Sequence, residues 1–70
     1  MAGVADGQVR LALHRLPLEP RKVFVLAYYG GQTQREIAVS TGVPVGTVRP
    51  RMFTAVQRLR SLLADQLGPD

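Results

Sequence analysis

Between Gly42 and Leu63 the chain reads GVPVGTVRPRMFTAVQRLRSLL, and this stretch limits the possible folds more than any other. Val48, Met52, Ala55, Leu59 and Leu62 follow one another at steps of four, three, four and three. That spacing draws a single apolar stripe along an α-helix and no coherent face along a strand. A helix with one apolar stripe has to be covered by other elements, which the rest of the chain must supply. Pro50 stands inside the pattern. Proline lacks an N–H and is tolerated in a first helical turn, where the amides have no intrahelical partner. The helix is therefore expected over about 47–65, with Thr47 as its cap, or else with an irregular turn across 44–47.

The covering elements are legible upstream. Val9, Ala12, Leu13 and Leu16 repeat at helical spacing, which predicts a helix over about 6–16 that Pro17 ends. LEPRKVFVLAYYGG predicts a second helix over about 20–29, opened by Pro20 and closed by Gly30 and Gly31. Its apolar residues run nearly all round. Val25 is expected in the core, and one of Tyr28 and Tyr29 at the surface. TQREIAVSTG predicts a third helix over about 34–41. Thr33 and Glu36 have the spacing of a capping box, Ile37 and Ala38 face inward, and Gly42 forms the turn. No stretch alternates like a strand. The expected fold is all-α: one domain over 1–70, a small four-helix bundle containing a helix-turn-helix, with 1–5 and 66–70 frayed.

Charge and composition narrow the function. The net charge is +4, and residues 33–60 hold five arginines (Arg35, Arg49, Arg51, Arg58, Arg60) against Glu36 alone. A basic helix beside a tight turn suggests a polyanionic partner, although charge by itself fits a solvated face equally well. The chain has no cysteine, which excludes disulfides and thiol chemistry. His14, the single histidine, has no neighbouring ligand type, and no serine or threonine has a base to activate it; neither a metal, a cofactor nor an enzymatic reaction is expected. No apolar run approaches the roughly 18 residues that cross a bilayer. A cytoplasmic protein without membrane association is expected.

With the apolar stripe of the last helix turned down, Pro50, Phe53, Thr54 and Gln57 point up. Arg49 and Arg60 lie on one shoulder, Arg51 and Arg58 on the other. A row that can meet base edges, flanked by cations for two phosphate strands, is what the DNA major groove requires. An outward phenylalanine suits a thymine methyl or a protein partner better than it suits water.

The segments LPLEPRKVFVLAYYGG, REIAVSTGVPVGTVR and RLRSLL resemble the fourth region of bacterial sigma factors of the sigma-70 family, above all the extracytoplasmic-function type. The resemblance covers about residues 11–63. It implies a promoter-recognition domain that binds the −35 element with the second helix of the helix-turn-helix. It also implies contact with the β flap of RNA polymerase and, in many cases, with an anti-sigma factor. On this resemblance the base-facing residues are Arg49, Pro50, Phe53 and Thr54, with Gln57 added from the helical wheel. Phosphate contacts fall on Gln34, Arg35, Thr47, Arg51 and Arg58, helped by free N–H groups at the start of the third helix. A protein partner would dock on Val23, Val25, Leu26 and Tyr29. The alternative is a protein-interaction module with little DNA binding of its own. Pro50 stands where the family usually has a small polar residue, Thr54 and Val56 where it often has a basic one, and Thr41 where it usually has leucine. The family's second-region domain has no counterpart in these residues, so either a fragment of a longer chain, the favoured reading, or a free-standing relative is expected, monomeric by itself.

Overall fold

The computed structural model describes residues 6–68, and the expected fraying of 1–5 and 69–70 lies outside them. Four helices follow one another: α1 (Asp6–His14), α2 (Leu18–Tyr28), α3 (Gln34–Thr41) and α4 (Val45–Leu67). Among the described residues there is no strand. At 23 residues, α4 is roughly 34 Å long, and the other three helices pack against it, with α2 also packed on α3.

The stripe on α4 does bury, but it serves two separate apolar clusters. Towards its N-terminus, Val48 joins Val23 of α2 and Ile37 of α3, all at 1% exposure or less, with Leu26, Ala27, Ala38, Val43 and Met52 packed around them. Towards its C-terminus, Ala55 and Leu59 join Val9, Ala12, Leu13 and Leu16, with Phe24, Leu62 and Leu63 at the edge. α2 contributes to both, through Val23 on one side and Phe24 on the other.

Local chemistry sets the ends of the elements. α1 ends at His14, two residues short of expectation, because the residue before Pro17 is disfavoured in the helical region. The chain leaves through two tight bonds, Arg15 N–H to Ala12 O and Leu16 N–H to Leu13 O, and Leu16 still reaches the core. α2 begins at Leu18 rather than Pro20, which places Pro20 third in the helix, still within the first turn. α2 closes on a close approach: a Cβ on Gly30 would lie 2.6 Å from the Leu26 carbonyl oxygen, so only glycine fits. The capping box on α3 is complete, with Glu36 N–H donating to Thr33 Oγ1 at 3.2 Å and Thr33 N–H donating to Glu36 Oε1 at 2.8 Å. Gly42 ends α3 at φ 71°, a left-handed position that a Cβ disfavours. Thr41 is accommodated by donating its hydroxyl to the Ile37 carbonyl at 2.7 Å.

The start of α4 corrects the sequence reading. The helix begins at Val45, capped by extended Pro44, and runs through Gln66 and Leu67, which are helical rather than frayed. Pro50 is thus the sixth residue of the helix, not the third. The irregularity expected across 44–47 takes the form of a tight bond from Thr47 N–H to Pro44 O at 2.9 Å. With no N–H on Pro50, the exposed Gly46 carbonyl has no donor four residues on. Pro50→Ala restores that bond, while the unfolded chain regains some freedom. The net expectation is a gain of about 1 kcal/mol, read as a higher urea midpoint at unchanged slope.

Candidate nucleic-acid interface

The tight turn at Gly42 and the burial of Ile37 and Val48 in one cluster fix α3 across the first turns of α4. A shallow groove results, lined by Gln34 of α3 and by Val45, Gly46, Arg49, Pro50, Phe53 and Thr54 of α4. Arg49 spans its two walls by donating from Nη2 to Gln34 Oε1 at 3.4 Å, a long and readily exchanged bond on the surface. Arg49, Pro50 and Phe53 are exposed, Phe53 to 65%, and Thr54 is half-buried. Four of the five expected base-facing residues therefore share one groove. Val45 and Gly46, which the sequence reading placed in a turn, belong to it because the helix starts early.

The other expected positions are more dispersed. Gln57 lies a turn further along, in a separate depression with Arg15, Arg58, Ser61 and Leu62. Arg35 is exposed on another face of α3, among Gln32, Glu36, Val39 and Ser40. Thr47 is half-buried. Arg51 departs most from its expected place. It lies about 60° from the line of Val48 on the helical wheel. Its side chain is 29% exposed, and Nη1 meets Glu19 Oε1 of α2 at 3.2 Å. Lys22 approaches the same carboxylate at 3.9 Å, so Glu19 holds two cations. At the start of α3, the Glu36 carboxylate already occupies the N-terminus and takes up the Thr33 amide.

The residues expected to dock a protein divide as well. Val23 is 1% exposed, belongs to the core and offers no docking surface, whereas Leu26 is half-buried against the same cluster and lines a surface depression with Val25, Arg21, Lys22, Ser40 and Thr41. Val25, expected in the core, is 36% exposed instead. Tyr29 is 45% exposed, and its hydroxyl donates to Asp6 Oδ1 at 3.4 Å. Tyr28, 59% exposed, stacks on Phe24 with ring centroids 5.2 Å apart and meets Tyr29 edge-on at 4.9 Å. A second groove, more apolar than the first, runs along Val9, Phe24, Tyr28, Val56, Leu59, Arg60 and Leu63. The sequence reading missed this groove because Val56 and Leu63 lie beside the α4 stripe rather than on it.

A short capped helix, a left-handed glycine and a long basic helix, packed on two further helices, form a helix-turn-helix, the motif that in many DNA-binding domains places its second helix in the major groove. Comparison with known proteins carries the assignment further. Residues 6–59 match the family described as Sigma-70, region 4. Over 70% of its length the chain is 43% identical to 27% of the ECF RNA polymerase sigma factor RpoE of Cereibacter sphaeroides. It is 33% identical, over 90% of its length, to 37% of the ECF RNA polymerase sigma factor EcfG of Rhodopseudomonas palustris. It is 40% identical, over 81% of its length, to 32% of the ECF RNA polymerase sigma factor SigL of Mycobacterium tuberculosis. No solved structure matches. The chain belongs to the Sigma-70, region 4 family and is a region 4 domain of the ECF type. It spans about a third of the length of these curated relatives. The family is non-enzymatic and acts in transcription initiation. Among the described residues, no helix is long and apolar enough to cross a membrane.

Proposed function

We propose that the chain acts as one domain that recognises promoter DNA at a −35 element, with the N-terminal half of α4 as its reading helix. The observation that carries this reading is the groove itself: Arg49, Pro50, Phe53 and Thr54 stand together at the exposed end of a basic helix, and Gln34 of α3 faces them. Arg49 is the side chain best placed to meet a base, since its guanidinium is exposed and only loosely engaged by Gln34. Arg49→Ala is expected to weaken binding to the preferred duplex by about 1–3 kcal/mol and to relax discrimination at one base pair. Fluorescence anisotropy against a set of single-base variants measures both effects. A uniform weakening across all duplexes would instead make Arg49 a phosphate contact.

A second reading has its own support. The apolar groove beside Phe24, Tyr28, Val56 and Leu63 suits a protein segment, for which the β flap of RNA polymerase and an anti-sigma factor are the proposed occupants. The two surfaces lie along different parts of α4, so one domain can carry both. Chemical-shift mapping separates them: added DNA should move amides across Arg49–Gln57, and an added protein partner should move those of α2 and of α4 beyond Ala55. Shifts on α2 and beyond Ala55 with the protein partner, and none across Arg49–Gln57 with promoter duplexes, would leave only the protein-interaction reading.

A further inference from the structure

The groove at the front of α4 is poor in hydrogen-bonding side chains for a surface that faces base edges. Val45 and Phe53 stand 46% and 65% exposed, Pro50 offers only ring methylenes to the solvent, and Gly46 has no side chain. Thr54, half-buried, adds a methyl beside its hydroxyl. The polar side-chain tips are the Thr54 hydroxyl and those of Arg49 and Gln34, which already meet each other at 3.4 Å. Val45, Pro50 and Phe53 are brought together in this one groove, and contiguous exposed apolar surface of this kind marks an interaction site where a single exposed side chain does not. Charge selects the partner: Arg49 lies in the groove and Arg58 and Arg60 stand exposed further along the same helix, so the occupant is expected to be polyanionic.

Within the major groove of DNA, the base-edge feature that apolar carbon recognises is the C5 methyl of thymine. Pro50 and Phe53 are three residues apart on the helix, which sets their Cβ atoms about 5–6 Å from each other. Base pairs rise by about 3.4 Å along a strand, so this pair covers roughly two successive steps. We propose that the chain reads thymine methyl groups with Pro50 and Phe53, next to one purine read by Arg49, so that its sites are distinguished by 5-methylpyrimidines more than by hydrogen bonds. The inference rests on α4 being the DNA-reading helix and adds to it the chemical class of base taken by this groove.

The test exploits uracil, which keeps every hydrogen bond of thymine and lacks only the methyl. Duplexes are selected from a randomised pool with the intact chain, and the tightest is resynthesised with deoxyuridine at each thymine in turn. One or two positions are expected to lose about three- to fivefold in affinity, the effect of uncovering one methyl group. In Phe53→Ala, whose exposed side chain leaves the core untouched, the position under Phe53 should no longer distinguish thymine from uracil, while one under Pro50 still does. Undiminished binding of every uracil duplex would overturn the methyl readout and leave α4 as a DNA-reading helix. Retention of the full thymine preference in Phe53→Ala would overturn the assignment to this groove. Failure to select any duplex would remove both readings together.

Discussion

Ile37→Ala is expected to lower stability by about 2–4 kcal/mol, the usual effect of emptying a buried isoleucine site in a core that cannot collapse fully. Small domains carry about 0.05–0.15 kcal/mol of stability per residue, so this is a large share of what such a chain has. The reason lies in how α3 is held. It has eight residues, well below the roughly 12–15 at which an isolated helix becomes even marginal in water. Ile37 is its one buried side chain, at 1% exposure, and clusters with Val23 of α2 and Val48 of α4. The capping box and Gly42 shape the ends of α3 without attaching it to the rest. Urea denaturation followed by circular dichroism should show an earlier midpoint. DNA binding should fall further than the global loss implies, since Gln34 and Arg49 would no longer face each other. A loss below 1 kcal/mol would show that α3 is anchored by something other than Ile37.

Binding to a promoter duplex is expected to weaken steeply with salt. Each phosphate neutralised contributes about −0.9 to the slope of log K against log salt concentration, so three to six contacts give roughly −3 to −5. Between 50 and 200 mM salt such slopes correspond to an affinity loss of about 60- to 1000-fold. The pairing of Arg51 with Glu19 favours the shallow end of this range, because that guanidinium is already engaged. Glu19→Gln removes the competing carboxylate and should steepen the slope by up to about 0.9, one further phosphate. A flat response in the parent chain would exclude phosphate-dominated binding.

Much of this architecture is legible in the residues, and the exceptions have physical causes. The stripe from Val48 to Leu62, the Thr33–Glu36 box and the left-handed Gly42 are local signals, and α3 follows them residue for residue. The beginning of α4 does not follow local rules. Proline in a second turn forfeits a hydrogen bond, but the burial of Val48 and Met52 on α2 and α3 holds the backbone helical through it. In α2 the apolar residues run nearly all round, so periodicity could not rank Val23 above Val25; the position of α3 and α4 decides which is covered. The Arg51–Glu19 pair joins residues 32 apart in sequence, a distance over which no pattern is informative. The apolar groove on α2 and α4 is likewise a product of packing, since Phe24 and Val56 come to line one surface only after the helices pack.

The division of the interior into two clusters along α4 has a consequence for how such a chain can vary over evolutionary time. Ile37 and Leu13 belong to different clusters, so the effects of changing them should combine nearly additively. Mutations can then drift in the half that carries the apolar groove without disturbing the half that holds the turn, and the reverse is equally open. The shared rod keeps both surfaces in fixed relation while each half varies.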